Sequence, residues 1–181
     1  MVRRARRRQT ALARAELRRR AGRIRLVLAD SDGVLTDGGV YYGDSGETLK
    51  RFSIRDGMGV ERLREAGIET GIITGELSGS VRTRAEKLRL QHCYLGIKDK
   101  RAQLFEILQH TGLDTDTLAY IGDDVNDIAI MKEIAVRGLI GAPGDASPAV
   151  AKLAHCRTTA RGGHGAFREF AEWILALRGP R

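Results

Sequence analysis

The 181-residue chain has only two cysteines, three prolines and one tryptophan, and aromatic residues make up 5% of it. Cys93 and Cys156 stand alone, without a CxxC pair or a neighbouring Cys/His cluster, which excludes a disulfide framework and a zinc site. No apolar run approaches the ~20 residues needed to cross a bilayer, and the N-terminal segment has no apolar stretch of the kind found in secretory signals. The expected home is therefore a reducing cytoplasm. With 42% hydrophobic and 30% charged residues, the composition is that of a globular protein of one domain.

The formal net charge is +8, and it is unevenly placed. Ten of the 31 basic residues and only one acid, Glu16, fall in residues 1–24, so the remainder holds 21 basic and 22 acidic residues. Residues 1–24 read as an Arg-rich arm, a disordered solvated extension in one reading and an electrostatic tether to nucleic acid or an anionic membrane in the other. The folded body, residues 25–178, is close to neutral, which argues against nucleic acid as the main partner.

From Ile24 onward, short apolar runs alternate with longer amphipathic segments, the signature of a parallel α/β sheet with helices on both faces. Strands are expected at Ile24–Ala29, Ile68–Ile73 and Leu118–Ile121. Helices are expected over residues 57–67, 78–88, 99–110, 125–134 and 165–177. Val40–Ile54, with VYYG and TLKRFSI around a DSGE turn, reads as an inserted β-hairpin.

Two acidic clusters follow apolar strands, where ligands of such sheets collect. In Asp30-Ser31-Asp32-Gly33, the two carboxylates can divide the labour of a phosphoryl transfer. One attacks phosphorus, while the other protonates the leaving oxygen and then activates water. In Gly122-Asp123-Asp124-Val125-Asn126-Asp127, three carboxylates within five residues would repel one another without a hard cation such as Mg2+. Helix capping would account for one of them. Between the clusters, Thr74-Gly75 and Lys100 offer a hydroxyl and an ammonium for phosphate oxygens.

This ordered set resembles the four motifs of the haloacid-dehalogenase (HAD) phosphohydrolase superfamily. The resemblance implies a Rossmann-like HAD fold in which Asp30 is the nucleophile, Asp32 the general acid and base, and Thr74, Gly75 and Lys100 hold the phosphate. It further implies Mg2+ bound by Asp30, the backbone carbonyl of Asp32, and Asp123, with Asp124 and Asp127 behind them. Only 41 residues separate Asp32 from Thr74, and 22 separate Lys100 from Asp123, so neither gap holds a cap domain.

The stretches DSDGVLTDGGVYYGDSGETLKRFSIRDGMG, ITGELSGSVRTRAEKL and GGHGAFREF resemble the 3-deoxy-octulosonate (KDO) 8-phosphate phosphatase family, which includes relatives acting on nine-carbon ketodeoxynonulosonate (KDN) and sialic acid 9-phosphates. The likeness implies a sugar-acid phosphate substrate and a homotetramer whose hairpins pack together and help close neighbouring sites. It also implies that Arg55, Asp56 and Gly57 line the substrate loop, with the glycine-rich ending at the mouth of a site. Glu76 and Lys87 resemble residues that mark the nine-carbon branch, and His164 stands where the eight-carbon branch has Arg, so the expectation leans toward nine carbons. Two other readings compete: a non-catalytic HAD-like module of the kind associated with sugar-acid cytidylyltransferases, and a nucleic-acid end phosphatase that clamps its substrate with the basic arm.

Overall fold

The computed structural model describes residues 14–179. Its centre is a six-stranded parallel sheet in the order β5-β4-β1-β6-β7-β8. The strands are β1 (Leu26–Ala29), β4 (Glu69–Ile73), β5 (His92–Tyr94), β6 (Leu118–Ile121), β7 (Leu139–Ala142) and β8 (Cys156–Arg157). Strand β1 lies between β4 and β6, with Leu26 level with both Glu69 and Leu118.

Side chains alternate across a strand, so the buried run LVLA feeds both faces of the sheet. Val27 and Ala29 enter one core, with Val60, Val81, Phe167 and Phe170. These come from helices α2 (Ile54–Glu65), α3 (Gly79–Lys87) and α7 (Ala166–Arg178). Leu26 and Leu28 enter the other, with Leu104, Ile107, Ile130 and Ile134 from α4 (Lys100–Thr111) and α5 (Ile128–Ala135). A short helix, α6 (Pro148–Ala151), follows β7. The expected doubly wound α/β architecture is thus present, and among the described residues no cap domain interrupts it.

The hairpin, β2 (Thr36–Gly43) with β3 (Gly46–Phe52), begins four residues earlier and ends two earlier than the sequence pattern suggested. Ser53 caps α2 by accepting from the Arg55 N–H at 3.1 Å, and so ends the hairpin. Tyr41, Tyr42 and Leu49 are exposed at its tip. Phe52 instead turns inward, packing on the core with the Arg84 guanidinium 5.8 Å from its ring centre.

The expected arm divides. Residues 14–21 form a helix, α1, rather than a solvated extension, and Ala21 and Ile24 are fully buried. The Arg20 guanidinium donates to the carbonyls of Ala135, Val136 and Gly138, joining α1 to the end of α5. The remainder of the Arg-rich segment, residues 1–13, lies outside the described residues.

Candidate active site

The chain runs from β1 outward to β4 and β5, then returns across β1 to β6. The strand order therefore reverses between β1 and β6, the place where parallel sheets form a crevice at their carboxyl ends. Asp30 directly follows β1, Thr74 follows β4, and Gly122-Asp123 follow β6. A cleft of about 380 Å³ lies there, lined among others by Asp30, Asp32, Thr74, Gly75, Asp123 and Asp124.

Asp30 is almost fully buried. Its Oδ1 accepts from the Ser31 N–H at 2.7 Å, and its Oδ2 lies 2.8 Å from Nζ of Lys100. Lys100 is the first residue of α4, where the helix dipole disfavours a cation. Carboxylates offset this: Nζ also donates to Oδ1 of Asp127 at 2.7 Å, and Asp99 caps the helix just before it.

Asp127 was expected near the metal, and its bonds assign it a more specific part. Oδ1 accepts from Lys100 and, at 2.6 Å, from the buried Tyr120 hydroxyl. Oδ2 accepts from the N–H groups of Asp123 and Asp124 at 2.9 and 3.3 Å. With both oxygens doubly engaged, Asp127 orients Lys100 and the Asp123 loop rather than offering a free ligand atom. Asp124 has the capping role allowed for it, accepting from the Val125 N–H at 2.8 Å.

One carboxylate oxygen from each of Asp30, Asp123 and Asp127 lies within 4.8 Å of the others, with Asp127 behind the other two because both its oxygens already accept from donors. Burial pushes the Asp30 carboxyl up to about 7, and Asp127 adds to the shift while Lys100 opposes it. Asp123 is pushed up to about 8, first by burial and then by the Asp30, Asp127 and Asp124 charges. Lys100 balances only part of this negative charge, and the donors are all oxygen, so the cluster fits a hard divalent cation such as Mg2+.

Glycines let the acids approach. Gly33 has φ +81°, and a Cβ there would stand 2.0 Å from Oδ2 of Asp123. Gly162, in the glycine-rich ending, packs backbone against backbone on the same loop, where a Cβ would meet the Gly33 carbonyl oxygen at 1.9 Å. The ending thereby braces the Asp30 loop.

Of the expected substrate residues, Glu76 lines the cleft. Arg55, Asp56, Gly57, Lys87 and His164 are not among its lining residues. Asp56 is buried, and it accepts from the N–H groups of Gly165 and Arg168 at the start of α7, at 3.2 and 3.0 Å. It is a carboxylate cap that fastens α7 to α2. Gly57 is buried, with a Cβ position only 2.8 Å from the Arg84 guanidinium. Lys87 is exposed on the last turn of α3, and His164 is exposed with its Nδ1 2.8 Å from the Gly162 carbonyl oxygen.

Asp145 and Lys50 are among the residues touching the site that the sequence pattern did not single out. Asp145 lines the cleft and accepts from the Gly162 N–H at 3.0 Å. Lys50, on β3, places Nζ 2.5 Å from Oδ2 of Asp32. A signal existed for Lys50: it shares a strand face with Phe52, two positions on.

No family model matches the chain. It is, however, 40% identical over 86% of its length to the 3-deoxy-D-manno-octulosonate 8-phosphate phosphatase KdsC of Yersinia pestis, 82% of which is covered. The chain belongs to the KDO 8-phosphate phosphatase family. Another member, from Moraxella catarrhalis, has a crystal structure in complex with a magnesium ion, a phosphate ion and KDO. It superposes with a TM-score of 0.83 at 35% identity, covering 90% of this chain and 92% of that one. A Legionella pneumophila protein assigned to subfamily III A of the HAD superfamily superposes with a TM-score of 0.86 at 38% identity, covering 94% and 92% of the two chains. The family and the HAD-like fold thus agree with the resemblance carried by the motifs.

Proposed function

We propose that this chain is a Mg2+-dependent phosphomonoesterase acting on a 3-deoxy-2-ulosonic acid phosphate, KDO 8-phosphate before its nine-carbon counterparts, through a phosphoryl intermediate on Asp30. The observation that carries the reading is the placement of Asp30. It stands at the carboxyl end of the central strand and on the cleft wall, with one oxygen held by Lys100 and the other by a backbone N–H.

In the first step an Asp30 oxygen bonds to phosphorus as the bond to the sugar oxygen breaks, and Asp32 gives that oxygen its proton. In the second step Asp32 accepts a proton from water as the water oxygen attacks phosphorus and frees Asp30. The Thr74 hydroxyl and Lys100 ammonium hold phosphoryl oxygens and balance their charge. Asp30, Asp123 and the Asp32 carbonyl would hold Mg2+, which supplies the charge neutralisation that lets an anion approach a phosphate.

The eight-carbon sugar is preferred to the nine-carbon one on two grounds. Lys87, half of the nine-carbon signal, lies outside the cleft lining, and the Yersinia and Moraxella relatives carry the eight-carbon name. The complete set Asp30, Asp32, Thr74, Lys100 and Asp123 argues against a non-catalytic module. The cleft of one subunit is open, and the exposed Tyr41, Tyr42 and Leu49 of the hairpin suit burial in a homotetramer in which a neighbour covers it.

The test is a phosphatase assay with Mg2+ on KDO 8-phosphate, KDN 9-phosphate, N-acetylneuraminate 9-phosphate and an oligonucleotide 3′-phosphate. The highest kcat/KM is expected on KDO 8-phosphate. Preference for the oligonucleotide, lost on removing residues 1–13, would support the nucleic-acid reading instead.

A further inference from the structure

Strand β3 is largely open to solvent, and Lys50 is its one buried residue. Its side chain is fully shielded from water, a position that a lysine tolerates only when its ammonium is paired. Nζ lies 2.5 Å from Oδ2 of Asp32 and 3.5 Å from Oε2 of Glu47. Glu47 accepts in turn from the hydroxyl of Ser78, the N-cap of α3, at 2.5 Å. The other Asp32 oxygen, Oδ1, accepts from the Thr36 hydroxyl at 3.1 Å. Asp32 is thus gripped from the hairpin by a cation that is itself anchored to α3.

We infer that Lys50 is the positioning residue of Asp32, holding Oδ2 so that Oδ1 is the oxygen that exchanges the proton with the leaving group and with water. The inference rests on the phosphatase reading above. An ammonium has three donors and no acceptor, so an oxygen facing it cannot also present a proton to it. The acid form of Asp32 therefore carries its proton on Oδ1, where the Thr36 hydroxyl can still donate to a remaining lone pair. As the sugar oxygen leaves phosphorus for Asp30 to bond there, the Oδ1 proton passes to that sugar oxygen. As water then displaces Asp30, Oδ1 takes the water proton, and the cycle closes. The hairpin accordingly does more than form a surface, since β3 carries the residue that aims the proton donor.

Leaving-group chemistry separates this role from a merely structural tether. A sugar alkoxide needs its proton as it departs, whereas 4-nitrophenolate departs without one. Lys50→Met keeps the bulk of the side chain and removes the donors, and Asp32 is exposed enough to be hydrated in its absence. In Lys50→Met, kcat/KM for KDO 8-phosphate should fall by roughly 10- to 100-fold, part of the ~100- to 10,000-fold that general acid catalysis supplies. For 4-nitrophenyl phosphate it should fall by less than about 3-fold, because bond cleavage there does not depend on a proton donor. Added to Asp32→Asn, the same change should cost less than about 2-fold, since residues acting as one unit are not additive. Circular dichroism and the Mg2+-induced rise in Tm report whether the fold is kept, and Lys50→Gln takes the same readouts if the Met variant does not fold. Equal losses on both substrates, an unchanged kcat/KM on the sugar phosphate, or full additivity with Asp32→Asn would overturn the inference while leaving the phosphatase reading intact. A wild-type chain inactive on both substrates would overturn the reading itself, and the inference with it.

Discussion

Gly33 and Asp123 are packed so closely that a methyl group on the Gly33 Cα would stand 2.0 Å from Oδ2 of Asp123. The two belong to loops after neighbouring parallel strands, β1 and β6, and their approach is what draws the acids into one cluster. In Gly33→Ala the new Cβ must displace the Asp123 carboxylate, and the φ of +81° adds about 1 kcal/mol of backbone strain. The Mg2+ concentration for half-maximal activity should rise at least ~10-fold, on the scale of disrupted ligand positioning at metal sites. Titration of Mg2+ in the assay measures it, and an unchanged requirement would show that Asp123 is not a ligand.

Asp127 is fully buried, and it joins Lys100, Tyr120 and the Asp123 loop. Asp127→Asn leaves the Lys100 ammonium with one carboxylate where it had two, and removes the charge from a buried pair. A loss of about 3 kcal/mol in stability is expected, at the lower end for a broken buried ion pair. Urea denaturation of the Mg2+-free variant and wild type checks this. A difference under about 1 kcal/mol would place Asp127 among groups of surface-like importance.

The raised carboxyls make the metal-free protein sensitive to pH. Burial, with neighbouring carboxylates, pushes Asp30 up to about 7 and Asp123 up to about 8 from an ordinary 3.8. Each holds its proton more tightly folded than unfolded, so their stabilising contribution is complete below about pH 4 and is lost as pH rises through 7 to 8. The Tm in chelator should fall from pH 5 to pH 8. Because Mg2+ competes with those protons, it should raise Tm more at pH 8 than at pH 5. A larger Mg2+ shift at pH 5 would contradict this assignment of the charges.

Assembly is expected to depend on the hairpin tip. Tyr41, Tyr42 and Leu49 are each more than 60% exposed in one subunit, whereas Phe52 packs inward and is unsuited to probing an interface. Light scattering should give a homotetramer for the wild type and smaller species for Tyr42→Asp combined with Leu49→Asp. A fully active wild-type monomer would remove the intersubunit cover.

The sheet's middle was legible because its strands are short buried apolar runs with an acid or threonine directly after them, as LVLA before Asp30 and LAYI before Gly122-Asp123 show. The outer strands were not. His92–Tyr94 is three residues of intermediate burial, Leu139–Ala142 is interrupted by Gly141, and Cys156–Arg157 is only two residues long, so none displays a period. Asp30, Thr74, Lys100 and Asp123 were legible as candidates because each sits just after a strand or at a helix start, and Asp32 because it follows Asp30 by two positions. Asp145 joins the site through a contact distant in sequence, and for Lys50 strand alternation could indicate only the face it shares with Phe52, not its partner Asp32. The bonds of Asp56 to the start of α7 are likewise long-range and visible only in the fold.

On the proposed mechanism, phosphorus is bonded to Asp30 during turnover. Acid quenching within the first turnover of KDO 8-phosphate, followed by mass spectrometry of the peptide containing residue 30, tests it most directly. The expected result is one phosphoryl group on Asp30 in the wild type, more of it in Asp32→Asn given 4-nitrophenyl phosphate, where only the hydrolysis step lacks its proton-transfer group, and none in a folded but inactive Asp30→Asn. Asp30→Asn turning over at near wild-type rate, or a phosphoryl group on another residue, would contradict it.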